Sequence, residues 1–356
     1  MKNIRIGPRT AVLLVAAVVV VTEVGLRATG RFVVEARFEP SARYGHRLVG
    51  EQERKSARGV AVRINSAGFR DREWTDADRS GVRIAVLGDS VSFGHDVAED
   101  RVWCRLLESS LRAREAVRES AGRHIVVQNF SVPGYGIEHS ARVFDDVIAP
   151  TRPALVVITV APYAIPPLEE RHEPALSAVR RWIQRTAIVQ CVARARGRTE
   201  PEPPVDRLRV DAETTPGSPV VADAALWDAA LARIDGIRRE LERTNGRLVL
   251  VSTPLVDATI ETRPASRFET WASAHPDVVW IDPTRALSAA MEPLLNEMKE
   301  RELVLSDVWT PLAANTRLAH ADSAVFFLDD AFHLNARGHQ VVAGVVERAL
   351  AQAGVP

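Results

Sequence analysis

From Arg83 onward the chain alternates short apolar runs with segments whose apolar positions recur at helical spacing. Ile84–Leu87, His124–Phe130, Ala154–Val160, Arg247–Pro254 and Asp277–Asp282 read as strands. Arg101–Val117 and Glu138–Ile148 read as helices, and Gly338–Ala351 closes the pattern with Val341, Val342, Val345, Val346 and Leu350 on one face. Apolar runs of four to seven residues separated by helices predict an α/β fold, a mostly parallel sheet covered on both faces.

Two stretches break this rhythm. Residues 162–223 are rich in Pro, Arg and Glu and contain one expected helix near Ala178–Ala193. The stretch is too long for an ordinary connection and reads as an insertion or lid. Asn296–Ser323 is a second excursion. Residues 31–60 mix charge, Pro and Gly without clear period and read as a linker or small subdomain. The expected layout is thus 1–30, 31–60 and a main domain over 61–356.

Lys2, Arg5 and Arg9 precede the apolar run Ala11–Val21, with Glu23 close behind. A secretory signal shares this positive-then-apolar layout, and a buried helix of the fold is the plainer alternative. Ala28-Thr29-Gly30 is a weak cleavage site, so the expectation is an uncleaved transmembrane anchor with the body on the non-cytoplasmic side, periplasmic or extracellular. Cleavage would instead make the protein secreted.

Composition narrows the chemistry. The 356 residues are 46% hydrophobic and 26% charged, an ordinary globular balance. Lys+Arg and Asp+Glu both number 46, and no basic cluster stands out, so nucleic acid is not an expected partner. Two distant cysteines, Cys104 and Cys191, form neither a disulfide framework nor a zinc spacing. No metal or other cofactor is expected.

Two motifs carry candidate chemistry. In "RIAVLGDSVSFGHDV" the first strand ends on Gly88-Asp89-Ser90 and a helix follows. A Ser at the carboxyl end of a parallel strand lies where open α/β sheets bind ligands, and backbone N–H groups of such a turn suit a nucleophile whose attack creates an oxyanion. A plain turn with a helix cap has the same look. In "LDDAFHLNARGH", Asp330 and His333 stand three residues apart just before the last helix. An acid there can hold a histidine ring; a capping Asp beside a surface His, or half a metal site, are the alternatives.

Taken together these motifs resemble the SGNH/GDSL hydrolase family. "GDSVSFG" matches its first block, "NFSVPGYG" its second and "DDAFHLNARGH" its last, while "RINSAGFRD" (Arg63–Asp71) is similar to the lead-in of membrane-anchored bacterial members. The resemblance covers about residues 60 to 355. It implies a three-layer α/β/α sandwich with a five-stranded, flavodoxin-like sheet of order 2-1-3-4-5. It implies Ser90 as nucleophile, His333 as general base and Asp330 as its orienter, ahead of the adjacent Asp329. It implies oxyanion donors at the N–H groups of Ser90 and Gly134. Ser92 and Ser131 then read as loop hydroxyls, and His339 as a cap or core histidine.

One block departs. The family's third block ends a strand in Gly-x-Asn-Asp, whose Asn is a further oxyanion donor. Here the strand runs into "APYAIPP" (Ala161–Pro167), which has no Asn; Tyr163 is the nearest hydroxyl donor. The expected function is a membrane-anchored serine esterase acting on an acyl or acetyl ester of a carbohydrate or lipid. An O-acyltransferase using the same triad is the alternative within that chemistry, and a non-catalytic glycan-binding or scaffold protein the alternative outside it.

Overall fold

The computed structural model describes residues 8–28, 36–56, 59–117, 124–160, 186–188, 191, 224–253, 264–284, 286–287, 289–290 and 333–354. A helix α1 (Pro8–Ala28) precedes two antiparallel hairpins, β1 (Phe38–Ser41) with β2 (Gly45–Leu48), and β3 (Gln52–Lys55) with β4 (Ala61–Ile64). Then follow α2 (Asp76–Ser80), β5 (Val82–Leu87), α3 (Ser90–Phe93), α4 (Trp103–Val117), β6 (Ile125–Asn129) and α5 (Ile137–Val143), which runs on into a π-helical turn, Phe144–Ile148. The described chain ends with β7 (Leu155–Val160), α6 (Ala224–Arg243), β8 (Arg247–Ser252), α7 (Pro264–Ser273), β9 (Val278–Ile281) and α8 (Ala336–Gln352).

Strands β5 to β9 pair in parallel in the order β6-β5-β7-β8-β9, which is the expected 2-1-3-4-5. Side-chain alternation divides each strand between two cores. Ala85 and Leu87 of β5, Val156 and Ile158 of β7 and Leu248 and Leu250 of β8 face one way. There they meet Ile137 and Ala141 of α5, Ile234 and Ile237 of α6 and Phe268 of α7. Ile84, Val86, Val157 and Val249 face the other way, against Trp103 and Leu107 of α4 and Val342 and Val346 of α8. Burying each large apolar side chain contributes roughly 1.5–3 kcal/mol, which explains why both faces of the sheet carry helices.

Other parts add to the expectation. Of the segment read as a linker or small subdomain, residues 36–56 form β1 to β3, and β3 pairs with β4. Leu48, Val62, Ile64 and Phe69 join the first core, so both hairpins pack on the sheet domain. Of the helix expected at 178–193, only 186–188 and 191 lie within the described residues; 187, 188 and 191 are helical. The excursion at 296–323 lies outside them.

The expected transmembrane helix is not supported. Among the described residues no helix is long and apolar enough to cross a membrane. The uninterrupted apolar run of α1, Ala11–Val21, has eleven residues. At 1.5 Å per residue it covers about 16 Å, roughly half of a hydrocarbon core. Beyond it, the Glu23 carboxylate accepts the N–H groups of Ala187 and Ile188 at 2.9 and 3.1 Å, so this end of α1 touches protein.

Candidate active site

β5 delivers Gly88, Asp89 and Ser90 to the carboxyl edge of the sheet. The glycine is required by a close approach, because a Cβ at Gly88 would overlap the Thr159 hydroxyl on β7. Asp89 caps α3, its carboxylate accepting the Val91 N–H at 2.9 Å. That helix is a single turn, closed by Gly94 in the left-handed region at φ 81°. The long helix on this side starts only at Trp103, so Ser90 draws less from a helix dipole than a long following helix would supply.

His333 reaches the same edge from the other end of the chain. Leu334 is buried in the core and Asn335 caps α8, accepting the N–H groups of Arg337 and Gly338 at 2.9 and 3.1 Å. These two neighbours fix the approach of His333, whose Nε2 lies 2.8 Å from Ser90 Oγ. His333 is 8% exposed, while Ser90 is half-buried. At that distance a neutral imidazole can take the hydroxyl proton. Asp329, Asp330 and Tyr163 lie outside the described residues.

Gly134 is described, at φ 82° in the loop after β6. Val132 N–H donates to Gly88 O at 3.1 Å, tying this loop to the end of β5. Among the described residues, no group accepts the backbone N–H of Ser90 or of Gly134. Preorganised donors aimed at developing charge are what an oxyanion requires.

The remaining sequence candidates are structural. Ser92 is buried and donates to Thr159 Oγ1 at 3.0 Å, while Trp103 Nε1 donates to Ser92 Oγ at 3.3 Å. Ser131 is buried, its N–H donating to Asn129 Oδ1 at 3.1 Å. His339 is a core histidine: its Nδ1 accepts the Trp103 N–H at 3.2 Å, and burial pushes its pKa down to about 3.

Three residues escaped the motif reading. His95 follows α3, and its ring lies 4.6 Å from that of His333 at a 32° tilt. Arg70 is buried and donates to Phe93 O at 3.0 Å, to Gly94 O, and to Val97 O at 2.6 Å, so one guanidinium shapes the whole loop that carries His95. Burial lowers its pKa to about 10, which leaves it charged at neutral pH. The neighbouring Asp71 carboxylate accepts the Asn129 N–H at 3.0 Å, and Asn129 Nδ2 donates to Ser92 O at 3.0 Å. Burial pushes the Asp71 pKa up, while Arg105, 3.4 Å away, favours its charged form. The lead-in segment "RINSAGFRD" thereby braces both loops around Ser90. Its own turn is set by Asn65, which accepts the Phe69 N–H at 3.0 Å, and by Gly68 at φ 85°.

No family model and no curated protein matches the chain. Solved structures similar to it include a protein assigned to lipolytic proteins of the G-D-S-L family from Desulfitobacterium hafniense DCB-2, at 12% identity and a TM-score of 0.40, covering 76% of this chain and 99% of that one. The psychrotrophic esterase EstA from Pseudoalteromonas sp. is similar at 12% identity and a TM-score of 0.40, covering 76% and 97%. A variant of Axe2, an acetylxylan esterase from Geobacillus stearothermophilus, is similar at 14% identity and a TM-score of 0.42, covering 76% and 94%. Likeness at this level says nothing of substrate. In its strand order, in Ser90 at the end of its first parallel strand and in its sequence blocks, the chain has the fold of the SGNH/GDSL hydrolases.

Proposed function

We propose that the protein is a serine hydrolase of SGNH/GDSL type that cleaves acyl or acetyl esters, with Ser90 as nucleophile and His333 as general base. The observation that carries this reading is the 2.8 Å approach of His333 Nε2 to Ser90 Oγ at the sheet's carboxyl edge. The Ser90 oxygen attacks the ester carbonyl as His333 takes its proton. The oxyanion is met by the N–H groups of Ser90 and Gly134, and His333 then protonates the leaving alcohol. Asp330 holds the imidazolium, and water completes the cycle by hydrolysing the acyl-enzyme.

The substrate class is a carbohydrate or lipid ester, and the body works on the non-cytoplasmic side of a membrane to which α1 attaches it. Support for the attachment is a helix with Leu13 70%, Val18 64% and Val21 71% exposed, preceded by Lys2 and Arg5. Apolar surface of this kind calls for a non-aqueous cover. The test is a fluorophosphonate probe on the purified protein. Labelling at Ser90 that disappears in Ser90→Ala supports a hydrolase; an unlabelled wild type sinks it and favours a glycan-binding protein.

A further inference from the structure

Hairpin β1–β2 precedes every block of the hydrolase resemblance, yet it reaches the loop that holds Gly134. Tyr135 N–H donates to Val132 O at 3.1 Å, so Pro133 and Gly134 are the central pair of a turn, with Gly134 at φ 82°. Pro followed by a residue of positive φ is the type II pattern, which differs from type I by reversal of the central peptide. That peptide is trans, so its C=O and N–H point in opposite directions.

His46 on β2 holds the carbonyl half of this peptide. Its Nε2 lies 2.9 Å from Pro133 O. A carbonyl can only accept, so Nε2 carries the proton. The grip is returned by Tyr135, whose hydroxyl donates to His46 O at 2.8 Å and whose ring lies edge-on to His46 at 5.2 Å. Tyr135 also stacks on His139 at 4.7 Å, whose ring lies 6.0 Å from that of His46, and His139 Nδ1 accepts the Gly136 N–H at 3.1 Å. The hairpin is itself anchored to the helix after the loop. Arg43 meets both carboxylate oxygens of Asp146 at 2.8 and 2.9 Å, and Tyr44 donates to Asp146 at 2.9 Å.

We propose that His46 is a positioning residue: it fixes the Pro133–Gly134 peptide with the Gly134 N–H turned away from the hairpin, as a preorganised oxyanion donor. This rests on the reading of Gly134 as such a donor. Donation to a carbonyl also polarises the amide it belongs to, strengthening the N–H on the other side by about 10–30%.

His46→Phe keeps a ring among Phe38, Tyr135 and His139 and removes the donor, whereas His46→Gln restores an N–H on a side chain of similar reach. On a short-chain acetyl ester, His46→Phe should lower kcat about 10-fold to 100-fold at unchanged KM, part of the loss expected when an oxyanion donor is removed outright. His46→Gln should recover most of it. In the full chain labelled with carbonyl-13C proline and 15N glycine, only Gly134 and Gly217 follow a proline, so the Gly134 amide can be read directly. Its proton shift should move in His46→Phe and return in His46→Gln. Wild-type kcat in His46→Phe, an equal loss in both variants, or an unmoved Gly134 shift overturns the inference. A wild-type rate no higher than Ser90→Ala sinks the hydrolase reading instead, and the Gly134 shift alone then decides the role of His46.

Discussion

Arg70 donates to Val97 O at 2.6 Å, and the loop this bond closes carries His95 against the ring of His333. A single buried guanidinium thus shapes the surroundings of His333 without touching it. The adjacent Asp71 does the same for the second loop, through Asn129.

Lysine at position 70 keeps the charge but cannot fork to three carbonyls. Losing charged hydrogen bonds of this kind costs about 1.5–3 kcal/mol each, and displacement of a catalytic loop by about 1 Å can lower the rate about 100-fold. Arg70→Lys should therefore lower both the melting temperature and kcat, while His95→Ala should lower kcat with little effect on melting, since His95 is half-exposed. Wild-type kcat in both variants would remove the loop from the mechanism.

Ser90→Ala and His333→Ala should each abolish nearly all ester hydrolysis. The double variant should be no worse than either single one, because the proposed nucleophile and base would act as one unit. Additive losses in kcat would mean that the 2.8 Å contact is not a catalytic hydrogen bond.

His339 makes stability depend on pH. Its folded pKa is lowered from 6.5 to about 3 by burial, so between those values the unfolded chain binds a proton that the folded chain does not. Stability is full above about pH 6.5 and is lost as pH falls toward about 3, by roughly 2 kcal/mol between pH 7 and 5. Urea unfolding at pH 7, 6 and 5 measures the slope, which should flatten in His339→Gln. An unchanged slope would assign the acid sensitivity elsewhere.

Much of this design was legible. The inner sheet strands stand out because β7 and β8 are buried on both faces, so Val156-Val157-Ile158 and Leu248-Val249-Leu250 read as unbroken apolar runs. Ser90 and His333 were legible because their neighbours, Gly88 and Asn335, have local backbone tasks that restrict residue choice. The hairpins were not, since Gln52-Glu53-Arg54-Lys55 has no apolar face to announce a strand. Helix α6 carries Trp227, Ala230, Ile234, Ile237 and Leu241 at helical spacing, but the aperiodic stretch before it obscures its start. The tasks of Arg70, Asp71 and His46 were illegible for a different reason, although Arg70 and Asp71 close the lead-in "RINSAGFRD". They act on backbone groups of distant loops, and such contacts place no demand on the residue types at the other end.

The proposed attachment through α1 predicts a separable phenotype. Leu14 and Val18 lie one turn apart, 49% and 64% exposed, so aspartate at both leaves the fold's cores untouched. Each substitution removes an apolar side chain whose burial contributes roughly 1.5–3 kcal/mol. The Leu14→Asp, Val18→Asp protein should move from the membrane pellet to the soluble fraction while Ser90 labelling is retained. Recovery of the intact wild-type chain in a salt-washed soluble fraction would count against attachment.

The departing third block bears on rate. Deleting one oxyanion donor typically lowers turnover about 10² to 10³-fold, or roughly 2.7–4 kcal/mol, so on the proposed reading the backbone donors of Ser90 and Gly134 should leave a slow enzyme and not an inert one. Tyr163, three residues past β7, is the hydroxyl that sequence offers as a third donor. A donor that strengthens only as charge develops acts on kcat and spares KM. Tyr163→Phe should accordingly lower kcat on a short-chain acetyl ester with little change in KM, measured against Ser90→Ala as the blank. Should that substitution be silent, Tyr163 is a packing residue; asparagine introduced at Tyr163 or Ala164 should then raise the rate, because it supplies the side-chain donor that the Gly-x-Asn-Asp pattern provides and "APYAIPP" omits.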